Sequence, residues 1–314
     1  MNRPSASADG KRVAFLESSG RTGTNMTNLE VGGTRLANSR LFIVEHGGED
    51  GIYDWTADSK TVLLALDRGD RYALHKQSLN SESQEAIVTS VPGLVEYAAV
   101  SPDEKWVIAQ VEPMPGRSPS APVQLMRVPM TGGSPELLFS MPEWSSSLCA
   151  KLPSRLCAVA EQSEDHKKMV ITSFDPVKGP GPELARFDLS PEYETTMLNL
   201  LWSISFDGTR LAAAGGPEGP IEIRSLVGGP GKVIRPRGLS KMKLLQWAAD
   251  DNGLFISNIT SGGIEIVHVD LQGDAKVLWK SNTDRCLGIP SPDGRHLAIY
   301  DWKQNANMWM MENF

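Results

Sequence analysis

Five imidazoles, His46, His75, His166, His268 and His296, are all this chain offers for histidine metal ligation or general-base work, and they are scattered along it. None forms a His-x-x-x-His pair and no Gly-x-Ser-x-Gly elbow occurs, so the signatures of helical zinc hydrolases and of nucleophile elbows are absent. His46 with Glu49, Asp50 and Asp54 is the densest candidate for a cation. The intervening Gly47-Gly48-Glu49-Asp50-Gly51 lacks calcium-loop spacing, however, and reads as a solvated acidic loop. Cys149 and Cys157 lie equidistant from Pro153, which places them opposite one another if the residues between them form a hairpin turn. An oxidising compartment would make them a disulfide, a reducing one two buried thiols, and Cys286 is left as a lone inner-strand thiol.

The elements that must position these groups announce themselves by repetition. Ser-Ala-Asp-Gly at 7 to 10 returns as Thr-Ala-Asp-Ser at 56, Ser-Pro-Asp-Glu at 101, Ser-Phe-Asp-Gly at 205, Ala-Ala-Asp-Asp at 248 and Ser-Pro-Asp-Gly at 291. An apolar run follows nearly every copy, as in Lys105 to Ala109 and Arg295 to Ile299. Pro presets φ for a turn, Asp accepts local backbone donors and Gly takes the left-handed position that closes a hairpin. Each Asp is thus a turn residue before it is a catalytic carboxylate.

Asp9, Asp58, Asp103, Asp207, Asp250 and Asp293 are separated by 49, 45, 104, 43 and 43 residues, so the long gap holds an eroded copy. Pro153-Ser154-Arg155-Leu156-Cys157 overlays Pro292 to Leu297 if its turn is one residue shorter, giving a seventh anchor near Ser154. A four-stranded propeller blade takes about 40 to 45 residues. The expectation is an all-β, seven-bladed propeller of four-stranded antiparallel blades spanning 1 to 314 as one domain. Its third strands are predicted at 25–31, 71–77, 123–128, 169–174, 221–226, 264–269 and 307–312, and Trp55 and Trp247, three residues before their anchors, should be wedged between blades. Seven blades need 28 strands, and the chain runs out after the third strand of the last. That blade is expected to be incomplete, with an open edge that a strand upstream of Met1 in a longer parent chain would close.

Composition agrees with an all-β chain. Gly 29 and Pro 21 supply turns, and no long stretch carries apolar residues at helical spacing. A net charge of -7 argues against a nucleic-acid surface, and a small basic group at Lys232, Arg235 and Arg237 reads as a solvated loop. No apolar stretch reaches membrane-span length and the start has no signal-peptide core, so the expectation for the chain as written is the cytoplasm, with the location of any longer parent left open.

Ser-Pro-Asp-Gly-Arg-His-Leu-Ala-Ile and its relatives resemble the WD40-like repeats of TolB-type β-propellers over essentially the whole chain. Phe174 to Gly179, Glu183 to Asp188 and the final Asn307 to Phe314 are similar to propeller regions at the C-terminus of bacterial multidomain signalling proteins. The resemblance implies a kinase or winged-helix domain upstream, often with a membrane segment between, and an extracytoplasmic location if so. No Gly-rich kinase loop, His-Arg-Asp motif or basic recognition helix occurs here, so neither activity carries over to any residue.

The functional expectation is a non-catalytic, monomeric sensor or scaffold that binds a protein or small molecule at a propeller face, without cofactor, metal or nucleic acid. The alternative is an enzyme or accessory domain of peptidase-gating or carbohydrate-lyase type. The candidate rim is Asp67, Arg68 and Asp70, the Pro-rich segment 112–122 with Arg117, and Asp301 with Trp302 read as an exposed anchor.

Overall fold

Five of the anchor phrases close on themselves through the same bonds. In the third copy the Ser101 hydroxyl donates to Asp103 Oδ1 at 2.8 Å, the Lys105 amide donates to the same oxygen at 3.2 Å, and the Trp106 amide donates to Ser101 Oγ at 3.0 Å. Ser7 with Asp9, Thr56 with Asp58, Ser205 with Asp207 and Ser291 with Asp293 repeat the pattern. A further copy that the spacing did not reveal is built on Ser163 and Asp165, at the other end of a blade. The fourth turn position is left-handed whether or not it is glycine: φ is 69° at Gly208 and Gly294, and 59°, 56° and 55° at Ser59, Glu104 and Asp251.

The computed structural model describes residues 5–9, 11–30, 32–46, 51–68, 71–91, 93–112, 122–142, 145–190, 201–239 and 241–312. Every element in it is a β-strand. The chain opens with β1 (Ser5–Ala6), β2 (Arg12–Glu30) and β3 (Arg35–His46). Five four-stranded antiparallel sheets follow in chain order. The first blade is β4 (Gly51–Trp55), β5 (Thr61–Asp67), β6 (Tyr72–Ser78) and β7 (Gln84–Val91). The second is β8 (Leu94–Val100), β9 (Trp106–Glu112), β10 (Val123–Pro129) and β11 (Glu136–Met141). The third is β12 (Ser146–Cys149), β13 (Cys157–Gln162), β14 (Lys168–Asp175) and β15 (Gly179–Asp188). The fourth is β16 (Trp202–Ile204), β17 (Arg210–Ala214), β18 (Ile221–Ser225) and β19 (Lys232–Ile234). The fifth is β20 (Lys241–Trp247), β21 (Gly253–Thr260), β22 (Gly263–Asp270) and β23 (Ala275–Ser281). β24 (Arg285–Pro290) and β25 (His296–Glu312) end the chain. The inner strands β4, β8, β12, β16, β20 and β24 each touch the next, and β24 touches β4, so the ring closes around a central channel.

The all-β propeller of four-stranded antiparallel blades is therefore present, but the seven anchors fold into six sheets among the described residues. The reason lies in the last repeat, which supplies only β24 and β25 to its blade. β2 pairs with β25 and β3 pairs with β2, so the order β24-β25-β2-β3 completes a sixth blade from the two ends of the sequence. Its outer edge is closed by residues 12–46 and needs no further strand. The Asp9 turn joins β1 to β2 within this same sheet, so the first and last anchors do not mark separate blades. The stretches 25–31 and 307–312, expected as third strands, are parts of the 19-residue β2 and the 17-residue β25. The other five third strands lie where expected, within a residue or two. Beyond the blade, Arg12 to Gly20 and Gln304 to Glu312 continue together as a ribbon on which Met308, Trp309, Met310 and Met311 are exposed.

Neighbouring blades bury alternating apolar side chains against each other and are tied by tryptophans. Trp55 and Trp247 are fully buried and occupy equivalent places: Trp55 Nε1 donates to Ile289 O of the sixth blade and Trp247 Nε1 to Ser203 O of the fourth. Trp202 does the same toward the third blade through Ser146 Oγ at 2.7 Å. The anchor turns are linked too. The fourth-position side chain of one turn accepts from the backbone of the preceding turn: Ser59 from Asp293 N, Glu104 from Ala57 N at 2.6 Å, and Asp251 from Phe206 N and Asp207 N at 2.8 and 3.1 Å.

Two outcomes follow from the turns. Asp251→Gly suits the left-handed backbone better yet deletes two charge-assisted bonds, so stability is expected to fall by about 1–3 kcal/mol in denaturant unfolding. A gain would show that turn strain outweighs the link. The second concerns acid. The Lys60 amide and Thr56 hydroxyl hold the Asp58 carboxyl below its ordinary 3.8, and Asp9 and Asp165 are lowered by Ser7 and Ser163 and by the amides of Lys11 and Lys167. A depressed folded-state value means stability that is complete above the unfolded pKa and is lost as pH falls through the folded one. The midpoint of thermal unfolding should therefore drop below about pH 4, and Thr56→Ala should flatten that drop.

Candidate functional site

The eroded anchor carries a buried ion pair beside the channel. The bond from Ser154 N to Lys151 O is the counterpart of that from Gly294 N to Ser291 O, so Lys151 stands where other anchors have Ser, Thr or Ala, and Pro153 stands where they have Asp. The connection is one residue longer than its equivalents, not shorter: Cys149 pairs with Cys157, whereas Trp55 pairs with Val62 and Pro290 with Leu297. Cys149 and Cys157 face each other on β12 and β13 and are joined by a disulfide, which clamps the base of this turn.

Lacking a local carboxylate, Lys151 reaches across the end of the second blade to the first. Its Nζ donates to Asp54 Oδ2 at 2.5 Å and to Trp55 O at 2.9 Å. Asp54 also accepts from Val100 N of the second blade and from Trp55 N, both at 2.8 Å. One carboxylate thus holds three blades. Both side chains are buried, a placement that is tolerated because each charge is paired and hydrogen-bonded.

Beside this pair, residues on or next to the inner strands of all six blades line a cavity of about 50 Å³. Tyr53 and Tyr97 meet edge to face at 6.3 Å, and the Tyr53 hydroxyl donates to Val95 O at 3.3 Å. Burial, and then the Asp54 carboxylate, push the Tyr97 phenol well above its ordinary value, so it stays protonated. Gln246, Ser203 and Trp247 complete the polar and aromatic wall. Toward the other end of the inner strands, Lys243 sits at a bulge in β20; burial, and then neighbouring Arg285, hold its ammonium pKa down, while Asp284 acts in the opposite sense.

The residues singled out from sequence do not gather here. Asp67 and Arg68 lie at the end of β5, where Arg68 is exposed; Asp70, Arg117 and the segment 113–121 are outside the described residues. Asp301 accepts from Thr283 Oγ1 at 3.0 Å and lies in the adjacent sixth blade. Trp302 is half-buried beneath the Arg285 guanidinium, 5.4 Å from its ring, and so is not the exposed anchor expected. The histidines are on outer elements: His75 on β6, His166 in a turn, His268 against Phe255, and His296 stacked on Trp55, while the side chain of His46 is outside the described set. Among the described residues no three His, Cys, Asp or Glu side chains come together as a metal site. Cys286 is buried, which pushes its thiol up. Sequence reasoning noticed Asp54 only as part of an acidic loop and missed Lys151, Tyr97 and Gln246. The available signal was the lysine at an anchor position otherwise held by Ser, Thr or Ala.

No family model and no curated protein matches the chain. Solved structures do. A protein provisionally named TolB from Agrobacterium tumefaciens matches with a TM-score of 0.63 at 16% identity, over 90% of this chain and 98% of that one. TolB from Acinetobacter baumannii gives 0.57 at 13% identity, over 92% of this chain and 66% of that one. A puromycin hydrolase gives 0.54 at 15% identity, covering 95% of this chain but only 49% of the hydrolase. These likenesses establish the TolB-like propeller fold and nothing finer.

Lys151→Met leaves a buried carboxylate without its cation and should cost about 3–5 kcal/mol, whereas Lys151→Met combined with Asp54→Asn should recover a large part of that loss. A double-mutant cycle by urea unfolding measures the coupling. Additive costs would show that the pair does not tie the blades.

Proposed function

We propose that this chain is a non-catalytic binding module, a sensor or scaffold that engages a protein or ligand at a propeller face, and that it belongs to a larger bacterial signalling protein. The observation that carries this reading is the state of Asp54 and Lys151. They are the charged pair at the channel cavity, and their bonds are spent on three blades, which leaves them as architecture instead of acid and base. The TolB-like fold is consistent with such a role, and the loops between second and third strands supply side chains such as Arg68 on the opposite face. A parent with an extracytoplasmic propeller would also suit the Cys149–Cys157 disulfide. Among the described residues no helix is long and apolar enough to cross a membrane.

The test compares the wild-type chain with a variant carrying Asp67→Lys and Arg68→Glu in affinity capture from its native host, with peptidase and polysaccharide-lyase assays in parallel. A partner held by wild type and lost by the variant is the expected result. Substrate turnover at enzymatic rates, or identical capture by both proteins, would overturn the reading.

A further inference from the structure

The cavity at the anchor-turn end of the channel has a chemistry of its own, independent of what binds the opposite face. Its volume of about 50 Å³ is room for roughly three to five water-sized groups, at about 10–15 Å³ for each. Among the described residues, three of its polar side chains, Tyr97, Ser203 and Gln246, make no side-chain hydrogen bond. Lys151 has three N–H donors and spends two, on Asp54 and Trp55 O. The wall is therefore rich in donors, with acceptors at Gln246 Oε1 and at the two hydroxyl oxygens.

Charge narrows the occupant further. Lys151 and Asp54 cancel, so the cavity presents no net charge to a guest. A cation would meet the ammonium at close range. An anion would be desolvated beside Asp54, the same combination that keeps the Tyr97 phenol from ionising. Rings of Tyr53, Tyr97 and Trp247 offer apolar surface to a carbon end. We propose that this cavity binds a small uncharged carbonyl compound bearing an adjacent N–H or O–H, of the primary-amide type. Its carbonyl oxygen would accept from Lys151 and Tyr97, its N–H would donate to Gln246 Oε1 or Ser203 Oγ, and its carbon end would rest on the rings.

Three planar near-isosteres of different charge decide the matter: acetamide, acetate and acetamidinium, titrated into the full chain at constant ionic strength. Binding is read by calorimetry and by NMR shifts of the Gln246 side-chain amide and the Trp247 indole N–H. Acetamide is expected to saturate a single site at least tenfold more tightly than either ion. Tyr97→Phe and Gln246→Leu should each weaken it at least fivefold, with thermal midpoints showing that both variants remain folded. Should one variant fail to fold, the other carries the comparison. No saturable acetamide binding, equal or tighter binding of either ion, or wild-type affinity in a folded variant would overturn the proposal.

Discussion

Seventeen consecutive residue pairs between β2 and β25 join the beginning of the chain to its end, and the remainder of the propeller depends on that seam. A blade buries both faces only if it has a neighbour on each side, so an open ring would expose two sheets' worth of apolar side chains. With β24-β25-β2-β3 in place, Ala298 packs toward the first blade alongside Trp55 and Val62, while Leu297 and Ile299 pack toward the fifth beside Phe255 and Ile266. The inner strands can then form a continuous wall, and the channel acquires a defined end.

That end is stiffened by two systems of different reach. The turn-to-turn bonds through Ser59, Glu104 and Asp251 connect adjacent blades, as do the indole N–H groups of Trp55, Trp202 and Trp247. The Lys151 ammonium instead skips a blade, and the disulfide at the base of its turn limits how far that turn can move. A channel assembled from six separate strands is thereby held to one geometry near the cavity. Shape there is a property of the ring and of no single blade.

How much of this could be read from the residues follows from the range of the interactions. The anchor turns were legible because their bonds close within five residues, and the Cys149–Cys157 pairing because it is symmetric about one turn. Trp55 and Trp247 were legible because equivalent positions in repeats share an environment. The blade count was not. Residues 301–312 contain neither Gly nor Pro to end a strand, and period-two alternation cannot separate a new strand from the continuation of an old one. Conversely, the stretch 25–31 was expected as a strand of its own, where β2 runs straight through from Arg12 to Glu30. The channel cavity was hidden for a third reason: Asp54 and Lys151 are 97 residues apart, and their partnership exists only because the ring brings their blades together.

The seam also has a mechanical character. Arg12 lies opposite Glu312, so the two ends of the ring leave side by side at the tip of the ribbon. In an antiparallel pair the hydrogen bonds run across the strands, so tension applied between these ends would part β2 from β25 one rung at a time instead of shearing all rungs together. Under heat the seam resists as a cooperative sheet; under traction it would peel. A propeller closed in this way has a built-in direction of yielding, and a pull on its ends would open the sixth blade before it strained the other five.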